Sequence, residues 1–286
     1  MYHVPRILGI DQSYVLDLLH CAYAETGEGM RIVTLAENTA ACPEVISQHG
    51  LSLYIETGKW KILFDMGQDD IFARNAAHLG IDLSKVDFAV LSHGHYDHGG
   101  GLSAFLRINK TAPVYIHTDA FGRYYNGREK YIGLDPALRE EARLIFTHGM
   151  VEIHAGLRLL DCNESGWQSP SWGLNQEQDS VFYPDSFSHE QYLQITEGER
   201  QFLISGCSHK GIENIAEYFQ PDVLIGGFHL SKQEELRELE KTARHLLRGS
   251  TLYYTGHCTG DKQYQVMKNI MGERLQRIST GMDIVI

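Results

Sequence analysis

Four residues with metal-binding side chains stand close together in LSHGHYDHGGGL, residues 91–102. They are His93, His95, Asp97 and His98, and they follow a continuous apolar run. Because alternate residues leaving a strand point to the same side, His93 and His95 can share one metal ion, and the following turn can carry Asp97 and His98 to a second position. Imidazole and carboxylate ligands suit Zn, Fe or Mn. The spacing therefore predicts a metal site.

Further candidate ligands follow other apolar runs of the chain. They are Cys207 and His209 in FLISGCSHKG, His229 in VLIGGFHL, His257 and Cys258 in LYYTGHCTG, and His117 at the end of PVYIH. Any one of these histidines also fits an ordinary structural role. The carboxyl ends of strands in α/β folds are where sites assemble, however, so we expect several of them to complete the metal site.

Two residues have a setting that suits a supporting role. Asp65 follows the apolar run of ILFDMG, where a buried carboxylate can orient a ligand histidine or cap a turn. His189 precedes a predicted strand within a polar cluster and is a candidate additional ligand. The histidines at 3, 20, 49, 78, 148, 154 and 245 lack such settings, and we expect them to be surface or packing residues.

The apolar patterns predict alternating strands and helices in each half of the chain. Strands are expected in RIVTLAEN, SLYIET, WKILFDM, VDFAVLS, PVYIH, QYLQIT, RQFLISG, VLIGG, TLYYTG and the terminal RISTGMDIVI. Helices are expected over 12–25, 69–80, 231–248 and 261–272, in LREEARLIF and in IENIAEYF. Residues 162–190 are predicted to form a long loop, and the 119–190 segment to form a wall of the pocket. No linker divides the chain, so one α/β domain with two similar halves is expected.

The composition indicates the class of protein and limits the kinds of partner that it can bind. Hydrophobic content of 43% and charged content of 22% are typical of a soluble globular protein. A net charge of −12 argues against binding nucleic acid, which depends on Lys and Arg. Five cysteines without a CxxC pair indicate free thiols and a reducing compartment. The N-terminal segment has neither the pattern of a signal peptide nor that of a membrane span, so we expect a cytoplasmic protein with a small-molecule substrate and no membrane contact.

These residues together resemble the metallo-β-lactamase superfamily. The pattern is carried by HxHxDH at 93–98, by Asp65 at an earlier strand end, and by His209 and His257 at later ones. TLAENT, HGLSLYIET, ILFDMGQ, ISGCSHKGIENI, GGFHL and TGHCTG also resemble one subgroup. Its archaeal members are described as dihydropteroate-synthase-type (7,8-dihydropterin-methyl-ribofuranosylaminobenzene-phosphate synthase-like) enzymes, and its bacterial members as metal-dependent hydrolases.

The resemblance implies a four-layer αββα sandwich over 31–286, with residues 1–30 as an N-terminal helical extension. It also implies a dinuclear site for two divalent ions, which we expect to be Zn, with Fe or Mn as alternatives. Site one would use His93, His95 and one later residue. Site two would use Asp97, His98 and His257. The superfamily's usual bridging Asp is missing from ISGCSH, so either Cys207 replaces it or His209 coordinates. We favour His209 as the ligand with Cys207 as its neighbour, and His189 as the candidate to complete site one.

The activity that the resemblance implies is metal-dependent hydrolysis, in which a metal-bound hydroxide attacks an ester, a phosphodiester or a similar small anionic substrate. Asp97 would fix the second metal and move a proton, and His229 would donate to the developing oxyanion. One alternative is a pterin-ribosylaminobenzene-phosphate synthase-type transferase, for which Lys210, Arg123 and Arg128 would offer positive charge. Another is a diiron redox or sensing domain on the same fold. Whether the protein is a homo-oligomer stays open.

Overall fold

Strands dominate the part of the chain that the structure describes. The computed structural model describes residues 29–286 except positions 168 and 171, so the helix predicted over 12–25 and almost all of the predicted 1–30 extension lie outside the described residues. The strands are β1 (Arg31–Ala36), β2 (Ser52–Glu56), β3 (Lys61–Phe64), β4 (Phe88–Val90), β5 (Val114–His117), β6 (Arg123–Asn126), β7 (Lys130–Tyr131), β8 (Leu144–Thr147), β9 (Met150–His154), β10 (Leu157–Leu160), β11 (Leu174–Gln178), β12 (Val181–Pro184), β13 (Tyr192–Glu197), β14 (Arg200–Ile204), β15 (Val223–Ile225), β16 (Leu252–Thr255), β17 (Leu275–Arg277) and β18 (Asp283–Val285). The α-helices are α1 (Ile71–His78), α2 (Tyr96–Gly99), α3 (Leu102–Ile108), α4 (Ile212–Phe219), α5 (Leu236–Leu246) and α6 (Asp261–Met271).

Two seven-stranded sheets form the framework. The first has the order β18-β1-β2-β3-β4-β5-β8 and the second the order β17-β16-β15-β14-β13-β10-β9. Strands β3, β4, β5 and β8 run parallel in the first sheet, and β14 to β17 run parallel in the second. The carboxyl ends of adjacent parallel strands lie at one edge of a sheet. The residues that follow β3 and β4 are therefore neighbours, and so are those that follow β14, β15 and β16.

Alternating side chains give each sheet two buried faces. In β3, Ile62 and Phe64 pack between the two sheets, whereas Leu63 packs with the apolar side chains of α1 and α3. Strand β15 alternates in the same way, with Leu224 on the side of α4, α5 and α6. Each such buried side chain contributes about 1.5–3 kcal/mol. The layers follow the order helix, sheet, sheet, helix, and the predicted αββα sandwich of the α/β class is confirmed.

One segment predicted as a helix is mainly a strand. In LREEARLIF, a 3₁₀ turn over Pro136–Glu140 ends early, and Leu144–Thr147 pairs with β5 as the edge strand β8. The prediction of a helix was therefore wrong over the second half of this segment. Leu144 and Thr147 are buried there. The pairing of β8 with β5 outweighs the helix propensity of the segment, because propensity is a weak preference compared with tertiary contacts.

The predicted long loop over 162–190 contains a hairpin. Strands β11 and β12 pair across Asp179 and Ser180, which both have positive φ angles, 50° and 65°. Two such residues are typical of the tight turns that join antiparallel strands. With β6 and β7 these strands form a third sheet in the order β12-β11-β6-β7.

The predicted single terminal strand is divided between the two large sheets. Strand β17 pairs with β16 in the second sheet, and β18 pairs with β1 in the first. The chain crosses between the sheets near Gly281, which has a φ of 87° that favours glycine. Among the residues that the structure describes, no helix combines the length and apolar character that crossing a bilayer requires.

Candidate metal centre

Five strand ends supply the side chains of the candidate centre. Asp65 follows β3, and the segment that starts at His93 follows β4. In the second sheet, Cys207 and His209 follow β14 and His229 follows β15. His257 follows β16. Because the two sheets face each other, the strand ends of both sheets meet at one edge of the sandwich.

His93, His95 and His209 form the first group of candidate ligands. One donor atom of each lies within 4.8 Å of the others, and all three side chains are buried. Within the described part of the chain, no protein group hydrogen-bonds to Nε2 of His93, to Nε2 of His95 or to either ring nitrogen of His209. Buried polar atoms without partners are rare in folded proteins. Three such imidazoles facing one another fit a divalent ion that prefers nitrogen ligands.

The surroundings of His93 and His209 favour neutral imidazoles. Burial lowers the pKa of His93 well below its usual value, and the nearby His98 and His95 lower it further. Burial acts in the same direction on the pKa of His209, with His229 as the next cause. A neutral imidazole keeps the lone pair that a metal requires.

Asp97, His98 and His257 form the second group. His257 Nε2 lies 3.5 Å from Asp97 Oδ2 and 3.1 Å from His98 Nε2. Burial raises the pKa of Asp97, but hydrogen bonds from His257 and His49 more than offset this effect, so the pKa lies well below its usual value. Asp97 is therefore a carboxylate at neutral pH, as a metal ligand must be.

His49 joins this second group, although the sequence suggested a surface or packing residue. Its Nε2 lies 3.0 Å from Asp97 Oδ2, and His49, Asp97 and His257 offer donor atoms within 4.8 Å of one another. The ring remains largely exposed. The signal available in the sequence was the position of His49 at the start of HGLSLYIET, one of the segments that carried the resemblance.

Asp65 fixes the orientation of the His98 ring through a hydrogen bond to Nδ1. Its carboxylate accepts hydrogen bonds from the Ser92 backbone N–H at 2.7 Å, from Ser92 Oγ at 2.7 Å and from His98 Nδ1 at 2.6 Å. Burial alone lowers the pKa of His98, but the attraction of Asp65, its hydrogen bond and the charge of Asp97 raise it to about 9. With Nδ1 donating to Asp65, Nε2 is the atom left for a metal, and a bound cation would replace the proton that the raised pKa otherwise keeps on this nitrogen.

Cys207 and His209 occupy different places in the centre. His209 belongs with His93 and His95, whereas Cys207 Sγ lies 3.1 Å from His98 Nε2. His93, His98 and Cys207 also offer donors within 4.8 Å of one another. Cys207 thus stands between the two groups, where the superfamily's usual bridging Asp was missing from the sequence, and His209 adds a separate donor.

His189 makes hydrogen bonds with both ring nitrogens. Nδ1 accepts from the Gly94 N–H at 2.9 Å, and Nε2 donates to Asp185 Oδ2 at 3.2 Å. The ring stacks on Tyr124 at 3.9 Å. Asp185 Oδ2 also lies 3.7 Å from His95 Nε2. Of the two predicted roles, ligand and support, this geometry favours support of the segment that carries His93 and His95.

His117, also predicted as a candidate, lies outside these groups. Its Nε2 donates to Asp161 Oδ2 at 3.1 Å, and its Nδ1 accepts from the Asp119 N–H. Burial raises the pKa of Asp161, but the hydrogen bonds from His117 and from the Asn163 backbone more than offset this effect, so the pKa lies well below its usual value. Both ring nitrogens of His117 are in use, which indicates a structural role.

Two buried glutamates that sequence reasoning missed hold the backbone of ligand residues. Glu190 accepts hydrogen bonds from the His209 N–H at 2.7 Å and from the Lys210 N–H at 3.0 Å. Glu37 accepts one from the His257 N–H. Glu190 follows the candidate ligand His189, and Glu37 lies in TLAENT, one of the segments that carry the family resemblance. The local sequence gave no sign of their role, because the backbone groups that they accept from belong to residues at distant positions, His209 and His257.

The candidate centre opens into a pocket of about 430 Å³. Residues from the third sheet and its connections, among them Asn126, Ile132 and Leu174, line one side of it, as predicted for the 119–190 segment. Lys130 and Lys232 bring positive charge to its wall.

The three cations predicted from the sequence have other partners. Lys210 is buried, and its Nζ donates to Asn163 Oδ1 at 2.6 Å. Arg123 pairs with Glu177, and Arg128 lies over the ring of Phe182. None of the three lines the pocket described above.

Comparisons with known proteins agree with this geometry. The model of the metallo-beta-lactamase superfamily matches residues 48–162. An uncharacterized protein of Methanocaldococcus jannaschii is 34% identical over 70% of this chain and 79% of its own length. A protein of the same organism named 7,8-dihydropterin-6-methyl-4-(beta-D-ribofuranosyl)-aminobenzene-5'-phosphate synthase is 28% identical over 89% of this chain and 96% of its own. The crystal structure of Tm1679, a metal-dependent hydrolase of the beta-lactamase superfamily, superposes with a TM-score of 0.77 and 30% identity over 90% of this chain and 99% of that one.

Proposed function

The chain belongs to the metallo-beta-lactamase superfamily, and from this premise we propose that it is a hydrolase that binds two divalent cations, zinc first, and cleaves an ester, a phosphodiester or a similar bond in a small anionic substrate. The observation that carries the proposal is the set of buried ring nitrogens without partners in His93, His95 and His209. Nε2 of His93, Nε2 of His95 and both ring nitrogens of His209 have no hydrogen-bond partner among the described residues, and a bound cation would satisfy them.

The residues of the centre would have two roles, cation binding and proton transfer. When bound, divalent cations lower the pKa of water and polarise a carbonyl or phosphoryl oxygen. His93, His95 and His209 would hold one cation, and Asp97, His98 and His257 the other, as the sequence led us to expect. Asp97, a carboxylate at neutral pH, is also placed to accept a proton within the centre.

His229 is the proposed donor to the substrate oxygen. It lines the pocket, and its ring lies 4.2 Å from the ring of His209. Its Nδ1 is buried and has no hydrogen-bond partner within residues 29–286 as the structure describes them. A donor next to the reacting bond stabilises the oxyanion that develops during hydrolysis.

The pocket walls support an anionic substrate. Lys130 Nζ lies 3.3 Å from Tyr96 Oη, and Lys232 Nζ donates to the Trp172 carbonyl at 3.3 Å. Both side chains lie at the pocket, and the contacts that they make within the described residues are with the Tyr96 side chain and the Trp172 carbonyl rather than with a carboxylate. Their charge therefore remains available to a carboxylate or phosphate of the substrate.

A transferase of the synthase type is the second candidate. It is favoured by the relative of that name, whose alignment extends over 89% of this chain. In that reaction the same cations would hold a pyrophosphate leaving group, and the pocket lysines would face the phosphate of the other substrate. A diiron redox or sensing domain is the third candidate function. Metal analysis distinguishes it from the hydrolase and the transferase, because only this candidate requires iron.

The first experiment measures metal content and activity together. We expect wild-type protein purified without chelator to contain zinc or manganese and to hydrolyse members of an ester and phosphodiester panel. His93→Ala should lose metal and activity, whereas the control His78→Ala, which changes an exposed histidine on α1, should lose neither. Full metal retention in His93→Ala would refute the site, and a visible iron centre that cycles with reductant would refute the hydrolase.

We also propose a cytoplasmic location. The described cysteines, Cys42, Cys162, Cys207 and Cys258, are all free thiols. Free thiols persist in reducing compartments. Detection of the protein in a fractionated cell extract tests this location.

A further inference from the structure

A cluster of softer ligands adjoins the two histidine and carboxylate groups. Cys207, His229 and Cys258 each offer a donor atom, and these atoms lie within 4.8 Å of one another. They follow β14, β15 and β16, three adjacent parallel strands of the second sheet. The proposed hydrolase uses neither Cys258 nor the proximity of the two thiols.

The contacts within this cluster bring the two thiols and the imidazole together. The His229 backbone N–H donates to Cys258 Sγ at 3.3 Å, and Cys258 Sγ donates to the Cys207 carbonyl at 3.6 Å. Both thiols are buried, and both line the pocket. Gly227 makes room for the arrangement, since a Cβ at that position would lie 2.3 Å from Cys258 Sγ.

His229 carries two signs of a ligand. Its Nδ1 is buried without a partner among the described residues, and its backbone has a φ of 51°. A left-handed conformation in a residue other than glycine costs of order 1–3 kcal/mol and is concentrated at functional sites. The strain and the unpaired nitrogen are both accounted for if the imidazole binds a cation.

We propose that Cys207, His229 and Cys258 form a third cation site, of the type that takes zinc or cadmium. Two thiolates and an imidazole are a ligand set that zinc accepts, and three protein ligands leave a fourth position open. Cys207 also lies beside His98, so its thiolate would be shared with the proposed dinuclear centre. An imidazole has two nitrogens, so His229 can bind through one and still offer the other to a substrate.

The test compares Cys258→Ala and Cys258→Ser with wild type after loading with zinc and removal of unbound metal. We expect both variants to hold one zinc ion per chain fewer than wild type. The control is Cys42→Ala, which removes a thiol outside the cluster and should keep the wild-type zinc content. Equal zinc content in wild type and in both Cys258 variants would overturn the proposal.

A second measurement uses the wild-type protein, so its result does not depend on whether a variant folds. Titration of wild-type protein with cadmium should give the ultraviolet absorption of thiolate bound to cadmium, with an intensity that corresponds to two thiolates. Absorption that corresponds to one thiolate, or a disulfide between Cys207 and Cys258 in protein purified under reducing conditions, would overturn the proposal.

These readouts are independent of hydrolysis and distinguish this inference from the proposed function. If His93→Ala keeps all its metal while Cys258→Ala loses one ion, the dinuclear centre is refuted and the thiol site stands. If His93→Ala loses metal and activity while Cys258→Ala and Cys258→Ser keep the wild-type zinc content, the hydrolase stands and the third site is refuted.

Discussion

The substitution Asp65→Asn isolates the role of one buried carboxylate behind the metal centre. In the wild type, the Asp65 carboxylate accepts three hydrogen bonds, one of them from His98 Nδ1 at 2.6 Å. Asparagine has nearly the same shape and tolerates the φ of 58° at this position. It replaces one acceptor oxygen, however, with an amide that donates.

That exchange moves the proton of the neutral His98 ring from Nδ1 to Nε2. An amide donor facing Nδ1 favours the tautomer that carries its proton on Nε2, and this is the nitrogen that lies 3.1 Å from His257 Nε2. A protonated Nε2 cannot bind a metal. Loss of such a supporting carboxylate weakens metal binding about 10–100-fold, which corresponds to about 1.4–2.8 kcal/mol. We therefore expect a loss of this size at the position that uses Asp97, His98 and His257.

The assay is competition for zinc against a chelator of known affinity, fitted for each binding step. The matched control is Asp82→Asn, because Asp82 also accepts hydrogen bonds from a serine N–H and a serine Oγ, both of Ser84, but is exposed. We expect Asp82→Asn to bind zinc like wild type. Zinc affinity of Asp65→Asn within about twofold of wild type, with the fold intact by circular dichroism, would refute the reasoning.

Three further predictions concern the residues that support the centre. Gly94→Ala should lower metal content, because its Cβ would lie 2.0 Å from a carbonyl oxygen of the facing loop, and metal analysis beside circular dichroism checks it. Glu190→Gln should weaken zinc binding less than His209→Ala does, since it leaves the imidazole in place and removes the charge of the carboxylate that accepts the His209 and Lys210 N–H groups, each hydrogen bond to a charged group being worth about 1.5–3 kcal/mol; chelator competition measures both. The pKa of Asp161 is lowered in the fold, so its contribution to stability is present above the ordinary carboxyl pKa and is lost as the pH falls below it. Urea unfolding at pH 5 and pH 3 should therefore show a smaller loss of stability in Asp161→Asn than in wild type, and an equal loss would contradict the assigned pairing with His117.

Local patterns were sufficient for most of the fold. Apolar runs bounded by Gly and polar residues predicted the hairpin of β2 and β3, the buried strand β4 and the strands that precede Cys207, His229 and His257. They failed where pairing partners are distant. The segment at 138–146 has a helical pattern but supplies an edge strand, and 162–190 has the composition of a loop but supplies a hairpin of the third sheet.

The sequence by itself determined the chemistry of the centre. The spacing of His93, His95, Asp97 and His98 after a buried strand identifies metal ligands, because the direction of side chains along a strand and its following turn is set locally. The histidines that follow later strands were visible for the same reason.

Only the tertiary structure decided which of these side chains meet. Cys207 and His209 are two residues apart, yet the fold assigns them to different groups, and it brings His49 to Asp97 and Glu190 to the backbone of His209. It also gives both nitrogens of His189 to hydrogen bonds. These contacts join residues that lie about 20 to 100 positions apart in the sequence and meet only when the strands and loops that carry them pack together. A local pattern carries no information about the distances between such residues.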